Sequence, residues 1–192
     1  MNDRIKKNSI LLGLVTIVFL YGCSQSKMNE EISNSINKQT DAILSVSKEQ
    51  LGNYINSIPE VNLNDYGFKN KEEFNRIRFD EPINVYFLEG SKIVFTNTWR
   101  VPLIIDGEYR SLLTVARNND EYKVVDFGAI QLAQIIFKKK TTKTIGLLRV
   151  YELKTDFLME EISIDDYSFI QINAEGQELN LNDILNLIKR NN

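Results

Sequence analysis

Apolar and polar positions change period along this 192-residue chain. From Met28 to about Leu44, Met28, Ile32, Ile36 and Ile43 recur at spacings of four and seven, which predicts an amphipathic helix with a polar face of Glu, Asn, Lys and Gln. Ser47-Lys48-Glu49-Gln50 reads as a capping box opening a second helix through Leu51, Tyr54, Ile55 and Ile58, which Pro59 ends. Tyr66-Gly67-Phe68 predicts a turn with two buried aromatic rings. Asn70 then caps a short helix, Lys71 to Ile77, and Glu72 and Glu73 occupy its first turn, where the helix dipole favours negative charge.

From Pro82 the period falls to two. Ile83–Leu88 and Ile93–Trp99 read as strands separated by Glu89-Gly90-Ser91-Lys92. Asp106-Gly107 joins Val101–Ile105 to Glu108–Ala116 as a two-residue type I′ hairpin, whose central residues need positive φ. A second turn at Asn118-Asn119-Asp120-Glu121 leads into Tyr122–Phe127 and completes a three-stranded antiparallel meander. With Ile105 opposite Glu108 and Asn118 opposite Glu121, alternation places Trp99, Val101, Leu103, Ile105, Leu112, Thr114, Ala116, Val125 and Phe127 on the core side. The other side carries Arg100, Pro102, Ile104, Tyr109, Ser111, Leu113, Val115, Tyr122, Val124 and Asp126. Pro102 has no N–H to donate, so its strand is expected to be an edge there or bulged.

After Gly128, Ala129 to Lys138 predicts a helix through Ile130, Leu132, Ala133, Ile136 and Phe137. Its tail, Lys138-Lys139-Lys140 with Lys143, complements a helix C-terminus. Thr144–Leu153 and Tyr167–Ile172 read as further strands, Glu175-Gly176-Gln177 as a turn, and Asn182 as the cap of a closing helix through Ile184, Leu185, Leu187 and Ile188. This order predicts an α+β domain with N-terminal helices and an antiparallel β-meander sheet, a helix packed on one face. A curved sheet wrapped on a helix is similar to the cystatin-like and NTF2-like folds, which host many functions.

The N-terminal stretch is of another kind. Arg4, Lys6 and Lys7 precede the apolar segment Ile10–Leu20, interrupted by Gly13 and Thr16, the layout of a secretory signal. Eleven residues rise about 16 Å as a helix, roughly half of a ~30 Å hydrocarbon core, so a cleaved leader is expected rather than a membrane span. Leu20-Tyr21-Gly22-Cys23 resembles the lipobox of bacterial lipoprotein precursors, with an aliphatic residue at −3 and a small one at −1 from the chain's one cysteine. Tyr21 departs from the small or hydroxyl residue usual at −2. The resemblance implies a diacylglyceryl group on the Cys23 thiol and, after cleavage, a fatty acyl chain such as palmitate on its amine. Two or three such chains anchor firmly. The chain then divides into a signal peptide (1–22), a lipidated cysteine and polar tether (23–27) and one α+β domain (28–192) on the extracytoplasmic side of a bacterial membrane.

Composition narrows the chemistry. Removing residues 1–22 takes away three basic residues and one acid and moves the formal charge from −3 to −5. A mildly acidic domain lacks the basic field that phosphate backbones require, so nucleic acid is not an expected partner. There is no histidine, which removes Ser-His-Asp and Cys-His activation and His-based zinc sites. An acylated Cys23 leaves no free thiol for disulfide, redox or thiolate–metal chemistry. With no Gly-rich phosphate loop, nucleotide fingerprint or metal-ligand spacing, no cofactor, metal or catalytic residue is expected.

One candidate constellation remains. The register above puts Arg100, Leu113 and Asp126 in a row across three strands of the second face, with Tyr109, Ser111 and Tyr122 around them. Backbones two strands apart lie about 9–10 Å from one another, within reach of a long arginine. A cation, a carboxylate and aromatic walls suit a ligand or partner surface; the same pair also reads as a structural ion pair. For a glycosidase, Asp126 with Glu108 is the pair to test, and the register sets them on opposite faces. Three readings stay open. The first is a non-catalytic envelope lipoprotein that binds a protein or small-molecule ligand. The others are a carboxylate-dependent, carbohydrate-active hydrolase and a structural subunit of an envelope assembly.

Overall fold

In the computed structural model, which describes residues 33–163, 166–172 and 178–191, residues 33–55 are helical. The chain divides into two units, Met1–Asp41 and Ala42–Asn192. In the first, residues 33–41 are described and are helical throughout. The leader and Cys23 lie outside the described residues. In the second, residues 42–55 are helical and are called α1. No break occurs at Ser47. That residue is fully buried, and its Oγ donates to Ile43 O at 2.8 Å, a back-bond open to a serine inside a helix. Gln50, the other end of the expected capping box, instead accepts from Val124 N–H at 3.0 Å.

Two 3-10 helices follow, Glu60–Tyr66 and Lys71–Arg76. Gly67 closes the first at φ +88°, and a Cβ there would lie 2.3 Å from Arg110 O, so only glycine lets these backbones approach. Asn70 caps the second as expected, its side chain accepting from Glu73 N at 3.2 Å. The strands are β1 (Arg78–Phe79), β2 (Ile83–Glu89), β3 (Lys92–Ile105), β4 (Glu108–Asn118), β5 (Glu121–Gly128), β6 (Thr144–Val150), β7 (Thr155–Ser163), β8 (Asp166–Gln171) and β9 (Glu178–Leu179). Helices α2 (Ile130–Lys139) and α3 (Leu181–Asn191) complete the chain order.

The described strands form one sheet in the order β5-β4-β3-β2-β6-β7-β8-β9, with β1 beside β3. Neighbours are antiparallel except β2 and β6, which run parallel. This is an α+β fold, two antiparallel halves joined at one parallel seam. Adjacent residues on a strand point to opposite faces, and the packing follows. Leu113 joins Trp99, Val101 and Leu103 in the core under α1, whereas Leu112 packs with Ala133 and Ile136 of α2 on the other face. On β6, Leu147 goes to the α2 core and Leu148 to the core under α3. Helix α1 also closes the outer edge of the sheet. Besides the Gln50 contact, Tyr54 OH donates to Val124 O at 2.9 Å, which satisfies groups that an edge strand leaves open.

Both tight turns sit where expected, with Asp106 and Gly107 at φ 53° and 83° and Asn119 and Asp120 at 48° and 68°. Ile105 pairs with Glu108 and Asn118 with Glu121. Beyond each turn, however, the ladder slips by one at a bulge, between Leu103 and Ile104 and again between Thr114 and Val115. The face assignment of β4 therefore reverses. Leu113 and Val115 lie in the α1 core, Leu112 and Thr114 face the other way, and on β5 Val124 is buried while Val125 is half exposed.

Pro102 is neither at an edge nor in the bulge itself. Its carbonyl accepts from Asp80 N at 3.1 Å, so its donorless nitrogen faces the same side, where the chain leaves the ladder between β1 and β2. Strand β7 has no counterpart in the sequence reading, and β6 stops at Val150 rather than at Leu153. The last helix is capped by Asn180, not Asn182. Asn180 Oδ1 accepts from Asp183 N at 3.1 Å and Asp183 Oδ2 from Asn180 N at 2.9 Å. The turn expected at Glu175-Gly176-Gln177 lies outside the described residues.

Candidate functional site

On the α2 face, Arg100 of β3, Thr114 of β4 and Asp126 of β5 stand in one row. Arg100 Nη1 donates to Thr114 Oγ1, and to Asp126 Oδ2 at 3.3 Å. Thr114 Oγ1 donates to the same carboxylate oxygen at 3.4 Å. The arginine side chain is only 12% exposed and the aspartate 62%, so the cation is held in the protein and its partner looks outward. Arg100 and Asp126 meet although the expected register was wrong on β4. Each bulge shifts β4 by one residue, the two shifts cancel between β3 and β5, and Thr114 stands where Leu113 was expected.

Across the parallel seam a second pair lies on the same face. Arg149 of β6 is directly opposite Asp156 of β7 and grips it with two bonds of 2.8 Å, Nε to Oδ1 and Nη2 to Oδ2. The hydrogen bond to Asp156 raises the Arg149 pKa, with burial opposing and the charges of Asp156, Tyr151 and Asp126 assisting. Neither residue was foreseen, because β7 was not. A hairpin centred on the turn Tyr151–Lys154 would have paired Val150 with Thr155 and, one step out, Arg149 with Asp156.

Arg100, Arg149 and Asp156, together with Asp65 and the first turn of α2, line a cleft of about 470 Å³. Ala129 precedes that turn in the left-handed region at φ 57° and provides no side-chain cap. Arg149 and Asp156 also line a smaller hollow of about 250 Å³ that continues to Tyr151 and Lys154 in the β6–β7 turn. Val85, Phe87 and Val94, half-buried on β2 and β3, belong to none of the three cores found among the described residues.

The remaining expected residues are dispersed. Tyr109 shares the face but lies at the far end of α2, where its hydroxyl donates to Asp80 Oδ2 and accepts from Lys140 Nζ at 3.4 Å. Burial first, then the Asp80 hydrogen bond and charge, push the Tyr109 hydroxyl well above its ordinary range. Burial alone would raise Asp80, but hydrogen bonds from Tyr109 and Glu81 N–H and the charge of Lys140 outweigh it and hold the carboxyl low. Ser111 is buried opposite Leu103 on the α1 face and donates to Gly128 O at 3.0 Å. Tyr122 is on that face too, 5.6 Å from the Trp99 ring. Neither can line the Arg100 row.

Glu108 and Asp126 do not form a catalytic pair. Glu108 lies in the β3–β4 hairpin, six residues along β4 from Thr114, which is opposite Asp126. That is roughly 20 Å at ~3.3 Å per residue, against the ~5–9.5 Å that glycoside hydrolysis needs. Among the described residues no three His, Cys, Asp or Glu side chains are placed to hold a metal ion, and no helix is long and apolar enough to cross a membrane. Comparison with known proteins finds no family model, no curated protein and no solved structure that matches this chain.

Proposed function

We propose that this chain is a bacterial lipoprotein, anchored to an envelope membrane through Cys23, whose α+β domain is a non-catalytic binding module using the polar row of the α2 face. The N-terminal pattern of Arg4, Lys6, Lys7, Ile10–Leu20 and Leu20-Tyr21-Gly22-Cys23 supports the address. The pairing of Arg100 with Asp126 and of Arg149 with Asp156 around one open cleft carries the binding reading. Both carboxylates are bonded to a guanidinium, and the pairs retain donors and acceptors that orient a ligand.

The test is recovery of the full chain from gently solubilised membranes, with mass spectrometry of its N-terminus and of whatever it retains. An acylated Cys23 at the N-terminus and a retained component that Arg149→Glu releases are the expected results. Any other N-terminus overturns the anchor, and a retained set indifferent to Arg149→Glu overturns the surface.

A further inference from the structure

The groove on the α2 face carries charge in balance. Arg100, Arg149 and Lys154 line it with Asp65 and Asp156, and Asp126 pairs with Arg100 at its rim, so three cations meet three carboxylates. An anionic ligand would gain from the guanidiniums and lose against the aspartates; a cationic one meets the reverse. The uncapped first turn of α2 adds N–H donors to the groove. With its side-chain charges matched, the groove suits a neutral ligand that both donates and accepts hydrogen bonds. Hydroxyl groups do this, each with one donor and two lone pairs.

The two ion pairs offer matching groups. Arg149 uses Nε and Nη2 for Asp156, which leaves Nη1, and Arg100 bonds within the described residues only through Nη1, which leaves Nε and Nη2. At the end of the groove Tyr151 is 65% exposed beside the 250 Å³ hollow, an aromatic ring free to cover the C–H face of a sugar. One way an extended peptide docks is by adding a strand at a sheet edge. This groove runs over a sheet face instead, bounded by the first turn of α2, and the β5 edge is occupied at Val124 by Gln50 and Tyr54.

Resting on the binding-module reading above, we infer that the groove is a subsite for a neutral oligosaccharide. Tyr151 stacks on one sugar ring, and the Arg149–Asp156 and Arg100–Asp126 pairs bind hydroxyls along the chain. The experiment titrates the full chain in detergent with cellotetraose and chitotetraose as neutral probes and tetragalacturonate as the acidic one. One of the neutral probes binds, and Tyr151→Ala and Asp156→Asn each weaken it about tenfold, or about 1.4 kcal/mol. Raising salt from about 0.05 to about 0.5 M leaves that affinity unchanged, because no net charge is matched. Tyr151 is exposed, so Tyr151→Ala remains informative even if Asp156→Asn disturbs the fold.

Tighter, salt-sensitive binding of tetragalacturonate would overturn the inference, as would neutral binding that ignores both substitutions. Failure of all three probes also overturns it, and the membrane recovery then separates two cases. A retained protein or peptide released by Arg149→Glu leaves the surface standing with a different ligand, whereas retention indifferent to that change removes the surface as well.

Discussion

Gly146 on β6 stands at the parallel seam, opposite Asn84 of β2 on one side and Met159 of β7 on the other. A Cβ at this position would lie 2.5 Å from Tyr86 Cε2 and 2.9 Å from Asn84 O. Carbon atoms in contact settle about 3.5–4.0 Å apart, so Gly146→Ala must displace the Tyr86 ring by about 1 Å and push a ladder carbonyl outward. The ring has little freedom, being half-buried with its centroid 5.6 Å from that of Phe95. Overpacking of this kind costs about 1–3 kcal/mol, and losing one seam hydrogen bond adds about 1 kcal/mol. The expected destabilisation is about 3 kcal/mol, a large part of the ~5–15 kcal/mol that holds a domain, and lowers Tm by about 10 °C at this size.

The assay is urea unfolding followed by far-UV circular dichroism and by fluorescence of Trp99, the chain's one tryptophan, which is 2% exposed. Gly52→Ala is the control. In α1 the nearest atom to its new Cβ is Asn56 Nδ2 at 3.8 Å, so alanine fits and stabilises by about 0.5–1 kcal/mol. Adding Tyr86→Leu to Gly146→Ala recovers part of the loss, since the ring contact goes and the carbonyl contact stays. A Gly146→Ala midpoint equal to wild type, or a loss that Gly52→Ala shares, would refute the close approach at the seam.

Two further predictions concern polar groups. Thr155 Oγ1 is buried with no hydrogen-bond partner among the described residues, so Thr155→Val removes an unmet group while keeping the shape; stability rises by about 1 kcal/mol, read as about 3 °C in Tm. Tyr109 has its pKa raised by folding, so its contribution is complete below the ordinary value of 10.0 and is lost as pH climbs above it. Asp80, lowered by folding, contributes fully above its ordinary 3.8 and loses that contribution as the pH falls further. Urea midpoints measured from pH 7 to 11 should therefore show a smaller alkaline fall in Tyr109→Phe than in wild type, and equal slopes would contradict the Asp80–Tyr109 bond. Tyr86, also raised, chiefly by burial, keeps the fall from vanishing in the variant.

What the sequence made legible was local. Asp106-Gly107 and Asn119-Asp120 announce their hairpins because positive φ at both central residues restricts which side chains fit there. The bulges one stretch further on leave no such mark, since neither Arg110 nor Val125 is a residue type that signals an extra position. Faces read outward from a turn are therefore sound only as far as the first bulge. Strand β7 escaped notice because Phe157, Leu158 and Met159 are all buried, two against α3 and one against α2, so the run shows no alternation. The Ser47-Gln50 pattern misled because tertiary structure used both residues otherwise, Ser47 inside the helix and Gln50 on the β5 edge. Strand order depends on the β2–β6 seam, a contact between segments some sixty residues apart that no local pattern encodes.

The polar row is hard to explain as a stabilising feature. Removing Arg100 to 12% exposure carries a desolvation penalty that one hydroxyl and a carboxylate at 3.3 Å repay only in part. Apolar residues at Arg100 and Thr114, the two enclosed positions of the row, would extend the α2 core and be neutral or better for stability. Helix α2 nevertheless ends its cover at Ile83, Leu112, Leu147 and Leu158, leaving Val85, Phe87, Arg100, Arg149 and Asp156 beyond it. A longer helix or a loop over that strip would have buried more apolar surface, at about 25 cal/mol per Å². Stability alone thus favours a covered, apolar strip, and a ligand is what we propose in place of that cover.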